Sequence, residues 1–195
     1  MIFFNRSSTE FGIISKNNIS DEVFLFPSER NRLKKIKHPA RRTEFIGVRE
    51  LRNKMIPDHE IVYLASGKPT LKKGFLHISI SHSEQSICLG LSKSNIGLDI
   101  EEPQNRILRI KSKFCSEEEA NLFNEQSTYD MTLLWTLKEA AYKKTDQPGL
   151  DFLKEIKIIE RLKNRYSCRA AAKKKVFEFN LAHEEIGGQI LTYTT

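Results

Sequence analysis

The chain has 195 residues, of which 39% are hydrophobic and 29% are charged. These proportions are typical of a soluble globular protein, and the chain is long enough to form a core of its own. A net charge of +7, from 32 Lys and Arg against 25 Asp and Glu, favours anionic partners such as nucleic acid, acidic lipid, a phosphorylated cofactor or an acidic protein.

Compartment and membrane association are predicted from the apolar runs and the cysteines. The apolar runs are too short to span a bilayer, and the N-terminal stretch lacks the apolar region of a secretory signal. Cys88, Cys115 and Cys168 stand at unrelated spacings, which indicates reduced thiols rather than a disulfide framework or a zinc site. We therefore expect a cytoplasmic protein that does not bind membranes.

The N-terminal third contains a short strand and two helices. Residues 11–15 have the pattern of a strand, and 28–37 form a charged helix. Pro39 can open the next helix, because its missing N–H would be unbonded at that position anyway. The core stripe of this second helix is expected at Phe45, Val48 and Leu51. Its arginines, which we expect on a solvated basic face, are Arg41, Arg42, Arg49 and Arg52.

The middle of the chain predicts a small antiparallel sheet. Residues 66–70 form a turn by their Gly and Pro. Residues 75–83 and 87–92 alternate between apolar and polar side chains and are expected to form a hairpin. Residues 95–101 follow as a third strand of the same sheet.

Two acids stand in this third strand. Because side chains alternate along a strand, Asp99 and Glu101 project from one face and can reach the same divalent cation. Ligation by oxygen alone suits Mg²⁺, and Gly97 on that face leaves room for a ligand. A solvated strand face with two acids is the more common source of this pattern when it is read alone.

The C-terminal half alternates helices and strands. Ser116 and Glu119 form a capping-box signature that opens a helix through Phe123. A longer helix covers about 130–144, and a Pro-Gly pair stops it. The tail favours strands at 156–159, 176–179 and 190–193. The predicted class is α+β, with helices packed on small antiparallel sheets.

One stripe of the long helix carries side chains that can bind a metal or take part in catalysis. Trp135, Glu139 and Lys143 are spaced four residues apart and therefore share a face. Glu139 can supply a third carboxylate to the metal or act as a base, and Lys143 can neutralise phosphate charge. A Glu–Lys pair on a surface helix and a core tryptophan are the alternative interpretation.

Three upstream residues can bind phosphate. Lys68 is a cation on a turn, and Ser81 and His82 end a strand with groups that can donate to phosphate oxygens. Ser81 and His82 could also simply close a hairpin.

Taken in order, these motifs resemble those of the 4′-phosphopantetheinyl transferases, in particular the longer, surfactin-synthetase-activating (Sfp-like) type. The family's motifs look like a G-K-P turn, an S-H-S strand end, a G-x-D-x-E strand and a W-x-x-K-E-A-x-x-K helix. They stand here at 67–69, 81–83, 97–101 and 135–143. The segment 114–119 also looks like the family's F-x-S-x-x-E helix start.

The resemblance implies two similar α+β halves related by pseudo-twofold symmetry in a monomeric chain, divided here as 1–103 and 104–195. It implies an enzyme of the holo-[acyl-carrier-protein] synthase type. Such an enzyme moves 4′-phosphopantetheine from coenzyme A onto a serine of an acidic apo acyl or peptidyl carrier protein. Mg²⁺ is the implied cofactor, and 3′,5′-ADP is the implied product.

The family's functional residues map onto matching positions of this chain. The implied metal ligands are Asp99, Glu101 and Glu139. The implied contacts of coenzyme A are Lys68, Pro69, Ser81, His82 and Lys143. Basic residues that would bind its 3′-phosphate are Arg30 and Arg32, ahead of the Arg42–Thr43 pair. Among these residues, Glu139 is expected to be the general base, with Asp99 and Lys143 also catalytic.

Two other functions stay open at this point. A basic nucleic-acid-binding protein or a metal-dependent phosphodiesterase would share the charge and the acid pair, but no helix-turn-helix, zinc-finger or RNP signature is present. We therefore expect no nucleic-acid partner. A non-catalytic binder of carrier proteins with the same fold would not need the carboxylates.

Overall fold

The structure is a computed structural model that describes residues 1–172 and 175–195, and the chain divides into two compact units, Met1–Asn95 and Ile96–Thr195. Each unit combines helices with antiparallel sheet, so the predicted α+β class is confirmed. Within those residues, no helix is both long and apolar enough to cross a membrane. The division into halves at 103 and 104, and their pseudo-twofold relation, stay predictions.

The N-terminal unit is built from six strands and two helices. In chain order they are β1 (Ile2–Arg6), β2 (Thr9–Ser15), α1 (Pro27–Lys35), α2 (Pro39–Met55), β3 (Ile61–Tyr63), β4 (Pro69–Leu71), β5 (His77–His82) and β6 (Ser86–Ser92). The main sheet has the order β1-β2-β6-β5, and β3 pairs with β4 alone. The predicted hairpin is confirmed as β5 and β6, and Pro39 opens α2 as predicted.

The predicted core stripe of α2 is confirmed. Phe45, Val48 and Leu51 are all buried. Val48 and Leu51 pack in one hydrophobic cluster with β-strand residues such as Ile14 and Ile87. The apolar spacing of α2 therefore sets which of its faces meets the sheet.

The expectation of a solvated basic face on α2 was wrong for two of its arginines. Arg49 and Arg52 are both fully buried. Arg49 Nε lies 3.2 Å from Glu29 Oε1, and Arg52 Nη2 lies 2.9 Å from Glu29 Oε2. Glu29 belongs to α1, so its carboxylate compensates both guanidinium groups away from water. Nothing in the spacing of α2 alone indicates this partner on another helix.

The described residues of the C-terminal unit form one five-stranded antiparallel sheet and three α-helices. In chain order the elements are β7 (Leu98–Glu101), α3 (Arg106–Ile110), α4 (Glu117–Ala120), α5 (Thr128–Thr145), β8 (Ile156–Leu162), β9 (Arg165–Ala172), β10 (Lys175–Ile186) and β11 (Gln189–Thr194). The sheet order is β7-β11-β10-β9-β8. α5 packs on this sheet and supplies much of the hydrophobic core of the unit, including Leu133, Leu134 and Leu137.

The prediction that residues 95–101 join the β5–β6 hairpin was wrong. β6 already pairs with β5 on one side and with β2 on the other, so the strand that follows β6 in sequence has no place beside it. β7 pairs instead with β11, with Asp99 opposite Thr192 and Glu101 opposite Ile190. Because β7 and β11 are far apart in sequence, no local sequence pattern reveals that they pair.

A buried ion pair joins α5 to the segment around α4. Lys138 and Glu119 are both fully buried, and Lys138 Nζ lies 2.7 Å from Glu119 Oε2. The same ammonium donates to the carbonyl oxygens of Phe114 and Phe152 at 2.5 and 2.8 Å. Glu119 also closes the predicted capping box with Ser116, although α4 itself ends at Ala120 and not at Phe123. Lys138 therefore has a structural role that its place in the motif does not reveal.

We predict that Lys138→Met lowers the free energy of unfolding by about 3–5 kcal/mol, because it leaves the Glu119 carboxylate buried without its counter-charge. Urea denaturation followed by circular dichroism measures the change. The double variant Glu119→Gln/Lys138→Met should be more stable than the single one, since the uncompensated charge is gone.

Lys157→Met is the control, because Lys157 pairs at 3.5 Å with a Glu118 side chain that is 82% exposed. We expect it to change stability by less than about 1 kcal/mol. A loss for Lys138→Met no greater than this would contradict a structural role for the buried pair.

Candidate functional site in the C-terminal unit

The two acids of β7 lie on a strand whose apolar residues are wholly buried. Leu98 and Ile100 are 0% exposed. The alternation of the strand places Asp99 and Glu101 on the other face. Asp99 is buried there at 4% exposure, and Glu101 at the end of the strand is half-buried. Burial of the apolar set therefore holds the two carboxylates in place.

α5 brings two more charged side chains to this face. Lys143 Nζ lies 2.7 Å from Asp99 Oδ1, in a partly buried ion pair. Glu139 lies one helical turn before Lys143 and is half-buried. The structure thus brings together the predicted residues of β7 and of the motif helix, which are some 40 positions apart in sequence.

Gly97 has a different role from the one predicted for it. A Cβ atom at this position would overlap the carbonyl oxygen of Ala140 and lie 2.7 Å from the backbone nitrogen of Lys144. The space beside Gly97 is therefore filled by the backbone of α5 and is not available to a ligand. The glycine lets the helix approach close enough for Lys143 to reach Asp99.

The carboxylates of the cluster influence each other electrostatically. The pKa of Glu139 is raised to about 7, chiefly by burial and then by the charge of Asp99, against the opposing effect of Lys143. The pKa of Glu101 is also raised to about 7, again by burial first and Asp99 second. Three acids with one lysine among them leave excess negative charge, which a cation would neutralise.

The donor set suits a hard divalent cation. Asp99, Glu101 and Glu139 offer only oxygen atoms, which Mg²⁺ prefers, and their mutual repulsion favours a bound positive charge. Within residues 1–172 and 175–195, no group of three or more His, Cys, Asp or Glu side chains has the arrangement of a formed metal site. The three residues therefore fit Mg²⁺ by chemistry, and their assignment as its ligands stays a prediction.

A cavity of about 280 Å³, which we call the Trp135 cavity, borders one carboxylate of the cluster. Glu101 forms part of its wall, and Trp135 forms another part while packing against Phe114 and Phe152 at 5.3 Å between ring centroids. Its lining residues are Glu101, Glu102, Gln104, Arg106, Ile107, Ile110, Thr132 and Trp135. Sequence reasoning identified Glu101 and Trp135 but missed the cavity, since α3 has no motif of its own.

In the N-terminal unit, three of the predicted coenzyme A contacts line one cavity of about 460 Å³, which we call the basic cavity. These three are Arg32, Pro69 and His82. Arg32 stacks over the ring of Tyr63 at 4.0 Å, and His82 Nδ1 lies 3.3 Å from Glu44 Oε1. Arg41, Arg49 and Tyr63 also line the cavity, and sequence reasoning did not select them as ligand contacts. A run of basic residues on two helices was the available signal.

Other predicted contacts in this unit have side chains bonded to main-chain carbonyls. Arg42 Nη1 donates to the carbonyls of Leu33 and Ile36 at 2.8 and 3.1 Å, next to the last turn of α1. Arg30 Nε donates to the carbonyl oxygen of Leu25 at 3.0 Å, and Thr43 Oγ1 donates to the carbonyl oxygen of Pro39 at 3.2 Å. In the structure these donors stabilise the turns around α1 and α2.

Ser81 and Lys68 lie outside the basic cavity. Ser81 is buried, whereas its neighbour His82 is exposed, because adjacent residues of β5 face opposite ways. Lys68 Nζ donates to Asn95 Oδ1 at 2.9 Å. The roles of both residues toward a ligand stay predictions.

The net charge of the chain belongs to one unit. Met1–Asn95 contains 16 Lys and Arg against 9 Asp and Glu, a net +7. Ile96–Thr195 contains 16 of each sign, a net charge of zero. The unit with the carboxylate cluster is thus neutral overall, and the unit with the basic cavity would attract anions.

Comparison with known proteins bears on the C-terminal unit. No curated protein matches the chain. The family model of the 4′-phosphopantetheinyl transferase superfamily matches residues 95–194, which include all four charged residues of the cluster. This match covers just over half of the 195 residues, and the chain therefore belongs to the 4′-phosphopantetheinyl transferase superfamily.

Proposed function

We propose that the protein transfers 4′-phosphopantetheine from coenzyme A to a serine of an apo acyl or peptidyl carrier protein, with Mg²⁺ as cofactor and 3′,5′-ADP as product. This is the activity of the surfactin-synthetase-activating type that the motifs resemble. One observation supports it above the others. Within the unit that matches the superfamily, β7 and α5 gather Asp99, Glu101, Glu139 and Lys143 into one electrostatically coupled cluster.

Asp99, Glu101 and Glu139 would hold the Mg²⁺ ion, which when bound neutralises charge on the pyrophosphate of coenzyme A. Lys143 adds a positive charge beside Asp99, and its half-buried ammonium stabilises negative charge that grows on the phosphoryl oxygens. These residues set the electrostatic field in which the phosphoryl group is transferred.

Glu139 is the base in this proposal. In the metal-free protein, burial and the charge of Asp99 raise its pKa to about 7, and a bound cation would keep the carboxylate ionised, as a base must be. It accepts the proton of the carrier serine while the serine oxygen bonds to the phosphorus. The bond from phosphorus to the oxygen of 3′,5′-ADP breaks, and the ADP leaves with the electron pair.

Some of the proposed contacts of coenzyme A in the N-terminal unit line the basic cavity. Arg32 and His82 can donate to phosphate oxygens, and the Tyr63 ring offers a flat apolar surface for the adenine ring of coenzyme A. Arg30, Arg42, Thr43, Lys68 and Ser81 are retained as proposed contacts on the resemblance alone.

We expect mass spectrometry of an apo carrier protein, incubated with coenzyme A, Mg²⁺ and this protein, to show a phosphopantetheine adduct. Asp99→Ala and Glu139→Ala should each lower the transfer rate by at least about 100-fold, because each removes an acid from the proposed cation and base site. Glu118→Ala is the matched control, since this carboxylate of the same unit is exposed and lies on α4. Full turnover by Glu139→Ala would contradict the proposal.

A thermal-unfolding experiment tests the cation site without measuring activity. Added Mg²⁺ should raise the Tm of the wild type and have a much smaller effect on Glu139→Gln, which lacks one charged ligand. Glu118→Gln should respond as the wild type does. An equal Mg²⁺ response of Glu139→Gln and the wild type would exclude Glu139 from the site.

Without metal, the same variant should be more stable than the wild type at high pH. The folded-state pKa of Glu139, about 7, lies above its ordinary value of 4.5, so the wild type loses stability as pH rises through this window. Glu139→Gln avoids the loss and should be the more stable protein at pH 8, by up to about 3 kcal/mol, with no difference at pH 4.

The segregated charge predicts how an acidic carrier protein is captured. Lys34→Glu/Lys37→Glu, on and just after α1, should lower kcat/KM for an acidic carrier at low salt, and the difference should shrink as NaCl is added. Lys154→Glu/Lys163→Glu is the control, because it changes the net charge equally on exposed residues of the neutral unit.

Equal effects of the two pairs, or no salt dependence, would contradict steering by the N-terminal unit. The Kd of coenzyme A, measured for each variant, separates an effect on the carrier from one on the donor.

A further inference from the structure

One buried hydroxyl in the wall of the Trp135 cavity is not explained by the fold. Thr132 is 3% exposed, and in the part of the chain that the structure describes no partner reaches its Oγ1. A buried hydroxyl without a partner costs about 1–3 kcal/mol relative to a bonded one. Such a group is a candidate for binding a ligand.

The next turn of the same helix shows how a buried threonine hydroxyl can be bonded without a ligand. Thr136 is equally buried, and its Oγ1 donates to the carbonyl oxygen of Leu133 at 3.0 Å. This is the usual way in which a helix satisfies a threonine hydroxyl. Thr132 does not form the corresponding bond, and it lines the cavity instead.

The cavity itself favours an uncharged and largely apolar ligand. Ile107, Ile110 and Trp135 supply apolar wall, and the charges of Glu101 and Arg106 lie on the same lining. A wall that carries charges of both signs does not select an anion. At about 280 Å³ the cavity is at the small end of ligand sites, so it suits a slender chain better than a nucleotide base with its ribose.

We infer that Thr132 binds an amide of the pantetheine arm of coenzyme A through its hydroxyl, and that the Trp135 cavity receives this arm. The inference rests on the proposed function. The arm is covalently joined to the phosphoryl group that is transferred, so its site must begin beside the cation site. Glu101 belongs to both the carboxylate cluster and the wall of the cavity.

The chemistry of the arm matches that of the cavity. Pantetheine alternates methylene and dimethyl groups with two secondary amides, so it offers apolar surface together with N–H and C=O groups that a hydroxyl can bond. An apolar side chain of the carrier protein would fill the same space but would leave the Thr132 hydroxyl unbonded. Thr132 is therefore a specificity-determining residue for the donor.

The test uses the full chain with Mg²⁺ and two ligands, coenzyme A and 3′,5′-ADP, which lacks the arm. Thr132→Val keeps the shape of the side chain and removes the hydroxyl, and Thr132→Ser keeps the hydroxyl. Calorimetry should show coenzyme A binding about fivefold to tenfold more weakly to Thr132→Val, as expected for one hydrogen bond. Binding of 3′,5′-ADP should be unchanged, and Thr132→Ser should restore most of the affinity for coenzyme A.

A stability measurement distinguishes this role from a structural one. Because the hydroxyl is unbonded in the free protein, Thr132→Val should unfold at the same Tm as the wild type or a higher one. A lower Tm, together with equal weakening of both ligands, would overturn the inference in favour of a structural role.

Three further results would also overturn it. Unchanged coenzyme A affinity in Thr132→Val, while the wild type binds both ligands, would remove Thr132 from the donor site and leave the proposed function standing. A raised KM for the carrier protein alone would assign the cavity to the carrier. A wild type that binds neither ligand would refute the proposed function, and this inference with it.

Discussion

The close approach of α5 to the residue before β7 is the constraint on which the candidate site depends. Gly97 has no side chain, and the backbone of α5 at Ala140 and Lys144 occupies the space that a Cβ would need. At this distance the Lys143 ammonium reaches Asp99, and Glu139 enters the field of the same carboxylate. A helix held further from the strand would leave two acids on β7 and a separate Glu–Lys pair on α5 instead of one coupled cluster.

The position of α5 is secured from its other side. Lys138 is adjacent to Glu139 in sequence but turns about 100° away on the helix, where it meets Glu119 and two carbonyl oxygens in the core. The interaction leaves no freedom to rotate the helix without burying an uncompensated charge. The motif W-x-x-K-E thus combines two functions, because its lysine fixes the helix and its glutamate faces the site.

The two units divide their electrostatic properties. The N-terminal unit holds the whole net charge of +7, and within it the buried Arg49 and Arg52 are both paired with Glu29. The C-terminal unit is neutral overall and gathers negative charge at the carboxylate cluster, where burial first and the charge of Asp99 second raise the pKa values of Glu101 and Glu139 to about 7. The cost of assembling like charges is offset locally by Lys143, and a bound cation would offset it further.

Local patterns in the sequence determined much of this protein, including the α+β class, the start of α2 at Pro39 and the core stripe of α2. They also determined the β5–β6 hairpin, the Ser116–Glu119 capping box and the placement of Asp99 and Glu101 on one strand face. These features depend on residues within a turn or two of each other. β1 and β9 are among the strands that were missed, the first because two of its three apolar residues are exposed and the second because its buried face is mostly Ala and Cys. Only the tertiary structure decided that β7 pairs with β11, that the backbone of α5 packs directly against Gly97, that Arg49 and Arg52 are buried, and that Thr132 lines a cavity. Each of these depends on a partner distant in sequence or on a neighbouring element, and no spacing within one segment contains that information.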